Sequence, residues 1–127
     1  MEGNPMPEAS HAEAVAAAND QNLFRTVNES LRDLNEAFES ITRDSEFICE
    51  CANRDCIQHL TLTLAEYEAI RLIPTHFLVA PGPDHVFRNV ERVTEHSDNY
   101  WIVEKYGEAG TLAISLDPRR RSERPED

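Results

Sequence analysis

The sequence has few glycines, almost no lysine and no long hydrophobic run. It contains four glycines in 127 residues, and none has the spacing of a phosphate-binding loop. No stretch approaches the ~20 apolar residues of a transmembrane helix, and residues 1–10 lack the basic and apolar segments of a secretory signal. The G-x-S-x-G and H-E-x-x-H motifs are also absent. These absences predict a cytoplasmic protein without a membrane segment and give no support to P-loop, serine-hydrolase or zinc-protease chemistry.

Positive charge is scarce as well. The chain has 24 acidic and 12 basic residues, a net charge of −12, and Lys105 is its only lysine. Because the acidic residues are spread along the sequence, the chain repels phosphate backbones, and direct binding of nucleic acid is not expected. The same charge suits a protein partner with a basic surface, although it also favours solubility alone.

The distribution of apolar residues divides the chain into three parts. Residues 1–20 are predicted to be a mobile N-terminal arm, in which residues 11–18 could form a helix on docking. Residues 108–127, which are rich in arginine and bounded by proline, are predicted to be a disordered tail. Residues 21–107 are predicted to form a single domain. A domain of that size buries a modest fraction of its surface, so a bound metal would stabilise it substantially.

The strongest helical pattern lies at the start of this domain. Apolar residues recur at intervals of three and four along one stripe: Phe24, Val27, Leu31, Leu34, Phe38 and Ile41. This spacing predicts an amphipathic helix. Two partners for the stripe remain open, namely the protein's own sheet and a second copy of the chain, which would give a homodimer through the Phe24–Ile41 helix.

The rest of the domain alternates as short β-strands do. Phe47–Cys49 and Ile57–Leu62 predict one hairpin, and residues 90–95 and 100–106 predict a second. Thr63 and Glu66 have the spacing of a capping box, which begins a short helix before an apolar strand at 77–80. We therefore expect an α+β fold: a long N-terminal helix packed on a small antiparallel sheet, with one hairpin clipped by zinc.

Three cysteines within eight residues are the main chemical signal. Cys49, Cys51 and Cys56 lie on the first predicted hairpin and its loop. Disulfides are disfavoured in the cytoplasm, so clustered cysteines there indicate a metal site or reactive thiols. Thiolates suit Zn²⁺, and a structural zinc site needs four protein ligands. The neighbouring Glu50 and Asp55 are expected to raise the thiol pKa values, which argues against a reactive nucleophile.

The fourth ligand must be a residue other than cysteine. We predict His85, because it lies in a Pro-Gly loop directly after an apolar strand and a rigid loop there could return it to the hairpin. His59 is the alternative, three residues after Cys56, but its place in an alternating strand can turn the side chain away from the loop.

Several of these segments resemble a group of uncharacterised small actinobacterial proteins. The resemblance covers about residues 20–107 and is carried by F-x-C-E-C-x4-C from Phe47, L-T-L-x-E-Y-E from Leu62 and A-P-G from Ala80. In that group a histidine commonly follows the Pro-Gly pair directly, whereas here Pro83 takes that place and His85 comes two residues later. The group has no known activity, so the resemblance implies no substrate.

Three functions are compatible with these patterns. The first is a non-enzymatic interaction or regulatory module stabilised by one structural zinc. The second is a thiol or zinc redox sensor that uses Cys49, Cys51 and Cys56 and releases metal on oxidation. The third is a small zinc enzyme with water as the fourth ligand.

Overall fold

The first helix determines how the rest of the chain is arranged. In the computed structural model, which describes residues 11–37, 44–53 and 55–119, α1 spans His11–Ala37. The predicted mobile arm is therefore wrong for residues 11–20, because three alanines of this first part of α1, Ala14, Ala17 and Ala18, are buried. Residues 1–10 lie outside the described residues.

The buried face of α1 is not the predicted apolar stripe. Val27 and Leu34 are 39% and 57% exposed, and Leu31 is only partly buried against the core. Phe38 and Ile41 lie outside the described residues. The fully buried positions beyond the alanines are instead Gln21, Arg25 and Asn28. Polar side chains can be buried there because partners from distant segments meet most of their hydrogen-bonding groups. Among the described residues, Gln21 Oε1 and Arg25 Nε are buried without a hydrogen-bond partner.

Asn28 illustrates how such a partner is supplied. Its amide nitrogen donates to the Ile48 carbonyl at 2.8 Å, and its amide oxygen accepts from the Ile48 N–H at 2.8 Å. Arg25 donates to the Pro74 carbonyl at 2.8 Å and to the carbonyl of His76, and its guanidinium lies 3.6 Å from the centre of the Phe77 ring. α1 thus hydrogen-bonds the backbone of two segments that are distant from it in sequence, at Ile48 and at Pro74 and His76.

Two small antiparallel sheets follow, and both predicted hairpins are present. The first hairpin pairs β1 (Asp44–Ile48) with β2 (His59–Thr63). The second sheet has the order β3-β5-β4, with β3 at His76–Val79, β4 at Glu91–His96 and β5 at Trp101–Lys105. The expectation of an α+β fold with a long N-terminal helix on small antiparallel sheets is confirmed.

A short helix, α2 (Leu64–Arg71), links the two sheets. The predicted capping box forms: the Glu66 N–H donates to the Thr63 hydroxyl at 3.0 Å, and the Glu66 carboxylate accepts from the Thr63 N–H at 2.8 Å. Tyr67 on α2 is fully buried and stacks on Phe47 with ring centroids 4.3 Å apart. This stack joins α2 to the first hairpin within one core that also includes Leu78 and Val103.

The chain ends in a third helix, where a disordered tail was expected. α3 spans Gly107–Leu116, and Asp117 and Arg119 then bind charged residues of the helices α1 and α2. The predicted tail is therefore wrong for residues 108–119, and residues 120–127 lie outside the described residues. Among the helices described, none combines the length and apolar content needed to cross a membrane.

Candidate metal centre

The first hairpin presents its three cysteines on a loop held by backbone hydrogen bonds. Cys49 follows β1 directly, and its N–H donates to the Gln58 carbonyl at 3.0 Å, which closes the base of the loop. At the tip, the Cys56 N–H donates to the Asn53 carbonyl at 3.0 Å. The loop is thus a defined turn that directs three sulfur atoms to one side.

The histidine arrives from the other sheet. After β3 the chain passes through Pro81 and Gly82 into a short 3-10 turn, Pro83–His85. Gly82 has φ of 130°, a conformation that glycine adopts far more readily than other residues. The His85 N–H then donates to the Gly82 carbonyl at 3.1 Å. The Pro-Gly sequence therefore turns the chain back so that His85 faces the cysteine loop.

The four residues predicted as ligands lie together. The Sγ atoms of the three cysteines and a ring nitrogen of His85 all lie within 4.8 Å of one another, and we call this group the Cys–His cluster (Cys49, Cys51, Cys56 and His85). His85 Nδ1 is 3.6 Å from the Cys49 Sγ and 3.7 Å from the Cys56 Sγ. In a tetrahedral zinc site a sulfur and a nitrogen ligand lie about 3.5 Å apart. The residues therefore fit a metal ion.

His59, the alternative fourth ligand, lies elsewhere. Its side chain is 64% exposed on β2, and its Nδ1 is 3.5 Å from a carboxylate oxygen of Glu46. As expected from the alternation of a strand, the ring points away from the cysteine loop. The structure thus brings His85, and not His59, to the three sulfur atoms.

The protein around the cluster both shields the sulfur atoms and hydrogen-bonds them. Cys49 and Cys51 are 2% and 1% exposed, while Cys56 and His85 are half-buried. The Ala80 N–H donates to the Cys49 Sγ at 3.2 Å. Such a bond stabilises a thiolate, and every bound cysteine must be a thiolate.

The thiols also act on one another. A hydrogen bond from Cys49 lowers the pKa of Cys51 to about 5, although burial opposes this. The same hydrogen bond, together with burial, raises the pKa of Cys49, and burial raises the pKa of Cys56. Cys51 is therefore the thiol most readily deprotonated, and a metal ion binding here would displace the protons of Cys49 and Cys56.

The prediction that Glu50 raises the thiol pKa values is wrong. The pKa of Cys51 is lowered, and those of Cys49 and Cys56 are raised by burial and by the neighbouring thiols rather than by Glu50. The Glu50 carboxylate is fully buried on the side of α1, where it accepts from the Asn28 amide at 2.8 Å and from the Leu78 N–H at 3.0 Å. The Glu50 N–H donates in turn to the Leu78 carbonyl at 2.7 Å. Glu50 therefore joins the cysteine loop to β3, the strand that leads to His85.

A second group of charged residues was not foreseen from the sequence. Arg71 donates to Asp117 at 2.5 Å and to Glu29 at 3.1 Å, and Arg119 donates to Glu29 at 2.7 Å and to Glu68 at 2.8 and 2.9 Å. We call these five residues the carboxylate–arginine cluster. Its members lie up to 90 positions apart, and no local spacing reveals such a group.

The pKa values in this second cluster follow from its ion pairs. Burial opposes ionisation of Glu29 and Asp117, but hydrogen bonds from Arg119 and Tyr67 to Glu29, and from Arg71 to Asp117, lower both pKa values. Hydrogen bonds from Arg119 and Arg32 likewise lower the pKa of Glu68. All three carboxylates are therefore held in the charged form at neutral pH.

No protein-family model matches the chain, and neither a curated protein nor a solved structure matches it. The resemblance to small actinobacterial proteins therefore stays a prediction. The site itself consists of three cysteines and one histidine close enough to hold a metal ion in an α+β fold.

Proposed function

We propose that this protein is a non-enzymatic interaction or regulatory module whose fold is stabilised by one structural zinc ion bound to Cys49, Cys51, Cys56 and His85. The observation that carries the proposal is the convergence of four donor atoms within 4.8 Å of one another. The donors come from two sheets, so one ion would tie the first hairpin to the turn after β3.

The donor set favours zinc. Three thiolates and one imidazole are ligands for a borderline-soft ion, and Cys₃His is among the common structural zinc sites. Harder ions such as Mg²⁺ and Ca²⁺ prefer oxygen ligands. The bound zinc would supply a cross-link between chain segments and would keep the three thiols deprotonated.

The same donor set argues for a structural rather than a catalytic ion. Catalytic zinc sites usually have three protein ligands and leave one position for water or substrate. Four protein donors fill a tetrahedron, and two of the four, Cys49 and Cys51, are buried. This favours the interaction module over a small zinc enzyme.

The proposed partner is a protein with a basic surface. The net charge of −12 favours such a partner, and acidic side chains such as Asp33 and Glu46 are 76% and 72% exposed. We expect a labelled arginine-rich peptide to bind with an affinity that falls as salt rises. The matched control is the same peptide with citrulline in place of arginine. Equal binding of both peptides would show that positive charge does not determine which partner binds.

Self-association through α1 is a further part of this proposal. Leu23, Val27 and Leu34 on this helix are 50%, 39% and 57% exposed. A second copy could cover them, as the predicted homodimer through the Phe24–Ile41 helix requires. Sedimentation velocity would then give a dimer for the wild type and a monomer for Leu34→Glu. A wild type that is monomeric at all concentrations would contradict this part.

The metal proposal is tested by counting metal. Protein purified without a metal-affinity tag is analysed by native mass spectrometry and elemental analysis. We expect one zinc per chain, lost in His85→Ala. His59→Ala is the matched control, because it removes the same kind of side chain at an exposed position outside the cluster, and it should retain zinc. Loss of zinc in His59→Ala alone, or a metal-free folded wild type, would overturn the proposal.

A redox sensor is the second candidate, favoured by one observation. The three sulfur atoms lie within 4.8 Å of one another, and Cys56 is the only one of the three that is not buried. Hydrogen peroxide could reach it. Two thiolates would then lose an electron pair and form an S–S bond, while peroxide takes up that pair and two protons to give two waters.

The two candidates differ in how readily oxidation releases metal. For a sensor, sub-millimolar peroxide releases zinc within minutes, and a thiol reductant restores binding. Mass spectrometry of the trapped product should show a disulfide that includes Cys56. For a structural site, zinc stays bound under the same treatment. A chromogenic zinc chelator measures both outcomes in one assay.

A further inference from the structure

A cavity lies beside the 3-10 turn, against strands β4 and β5 of the three-stranded sheet, and contains none of the four cluster residues in its lining. Its volume is about 490 Å³, within the range of about 300–1,000 Å³ of small-molecule sites. Pro83, Val86 and Val93 contribute apolar surface to its lining. The space is therefore large enough for a small organic molecule.

Aromatic side chains give this cavity rigid walls. The Trp101 indole meets the His96 ring edge-on, with centroids 4.5 Å apart. The Tyr106 hydroxyl donates to the Arg88 carbonyl at 2.8 Å, which fixes the orientation of the phenol ring. Flat, oriented aromatic surfaces favour a flat ligand, because stacking and edge contacts depend on geometry.

Two arginines give the cavity a positive charge. Within the described residues no carboxylate pairs with Arg88, which is exposed. Arg92 is 67% exposed and lies 3.2 Å from Glu104. The chain has a net charge of −12, so two guanidinium groups at one cavity make a positively charged site on an otherwise acidic protein. Guanidinium groups bind carboxylates through paired hydrogen bonds.

The one acidic residue in the lining does not cancel this charge. Glu91 is 2% exposed, and its carboxylate is already satisfied by three donors. These are Lys105 Nζ at 3.0 Å, Gln21 Nε2 at 3.0 Å and the Phe87 N–H at 2.7 Å. An entering ligand therefore meets aromatic rings and cations and no free carboxylate.

We propose that this cavity binds a small planar carboxylate. The ring of the ligand lies against Trp101 and Tyr106, and its carboxylate is bound by Arg88 and Arg92. The cavity contains none of the four proposed zinc ligands, so the proposed binding of a carboxylate does not require that the chain bind zinc. It adds a ligand-dependent step through which an interaction module could be regulated.

The test uses two probes of nearly equal shape, 2-naphthoate and its neutral amide, 2-naphthamide. Binding to the full chain is measured by calorimetry and by the NMR signal of the indole N–H. Trp101 is the only tryptophan, so that signal reports on this cavity alone. We expect 2-naphthoate to shift the signal and to bind at least about tenfold more tightly than the amide. Equal affinities, or binding without a shift of the indole signal, would overturn the proposal.

Substitution of the two arginines tests whether they bind the carboxylate of 2-naphthoate. Arg88→Gln and Arg92→Gln should each weaken 2-naphthoate binding about three- to tenfold and leave the amide unaffected. Both side chains are exposed, so the fold should survive, and a dispersed NMR spectrum checks this. Arg32→Gln is the control, because it removes the same charge from α1, outside the cavity lining. Unchanged affinity in both cavity variants would also overturn the proposal.

Discussion

The Cys–His cluster and the carboxylate–arginine cluster both join segments that are distant in sequence, but they use different chemistry. The first brings residues 49–56 to residue 85 with soft donors that fit one ion. The second joins α1, α2 and the segment after α3 through buried or half-buried ion pairs. If the first holds the proposed metal ion, it responds to metal removal and to thiol oxidation, while the second responds to protonation of its carboxylates and depends on complete pairing of its charges.

The two clusters also contribute differently to the folding stability of a small domain. A structural metal supplies folding free energy directly, because the unfolded chain has no preformed site. A buried ion pair contributes little net stability, since desolvation offsets much of the attraction, but removal of one partner is costly. We therefore expect the two clusters to respond differently to substitution, and the following predictions run from the largest effect to the smallest.

Removal of one metal ligand should have the largest effect. Cys51→Ser leaves three donors in a site whose metal contributes on the order of 10 kcal/mol in small zinc domains. We expect the melting temperature to fall by about 15 °C or more, since about 1 kcal/mol shifts it by 4–8 °C in a domain of this size. Differential scanning calorimetry with and without a zinc chelator measures this.

The control for this prediction is the chelator itself. It should lower the melting temperature of the wild type and leave that of Cys51→Ser unchanged. A wild type and variant with equal melting temperatures would mean that the Cys–His cluster contributes nothing to the fold.

Breaking the other cluster should have a smaller but clear effect. Arg71 and Asp117 have side chains 0% and 3% exposed, so Arg71→Gln leaves a buried carboxylate without its main partner. We expect a loss of about 3 kcal/mol in the free energy of unfolding, measured by urea denaturation. Zinc content should remain one per chain.

An exposed ion pair provides the comparison for this substitution. Arg92→Gln makes the same chemical change in a pair with Glu104, where Arg92 is 67% exposed. It should cost less than about 1 kcal/mol. Equal losses in the two variants would show that burial of the Arg71–Asp117 pair is unimportant.

The pH dependence of stability should separate the contribution of Arg119 from that of the proposed metal ion. Hydrogen bonds from Arg119 lower the folded pKa values of Glu29 and Glu68, each below its ordinary value of 4.5. Stability from such groups is present above pH 4.5 and is lost as pH falls through the lower, folded pKa values. Since Arg119 and Glu68 are partly exposed, Arg119→Gln should cost only about 1–2 kcal/mol at pH 7.

Urea denaturation of both proteins from pH 7 to pH 3 measures this. The difference between wild type and Arg119→Gln should stay constant down to about pH 5 and shrink at lower pH. Loss of zinc in acid affects both proteins and cancels in the difference. A difference that is independent of pH would contradict the assigned role of Arg119.

The parts of the fold that the sequence predicted depend on local pattern. Both hairpins and the Thr63–Glu66 capping box could be predicted because alternation and cap spacing act over a few residues. The cysteine spacing indicated the metal site for the same reason. His85 was a prediction from loop position, and its approach to the cysteines depends on the tertiary fold.

The parts that were wrong depend on partners far along the chain. Gln21 is buried because Glu91 meets it from 70 positions away, and the periodicity of α1 gives no sign of this. Gly110 falls within the predicted disordered tail, yet it lies within α3. An added Cβ there would lie 3.0 Å from the Lys105 carbonyl oxygen, so this glycine permits close packing of helix on strand.

The smallest expected effect links the metal site to the cavity. Pro83 and Val86 line the cavity and flank His85, so metal binding should hold that wall in place. We expect removal of zinc to weaken 2-naphthoate binding about threefold at a temperature where the metal-free chain is still folded. Calorimetric titration of both forms measures this, and equal affinity would mean that the wall is rigid without metal.

The position of Lys105 has a consequence for chemical modification of the protein. It is the only side-chain amine in the sequence, and its Nζ lies fully buried against Glu91. Burial lowers its pKa, an effect that Glu91 opposes. Acetylation, or attachment of another protein through an isopeptide bond, requires an accessible amine, so any such reaction at a side chain must wait until β5 separates from its neighbours. Covalent modification at this lysine would therefore indicate that the protein had unfolded, because the folded chain protects the amine.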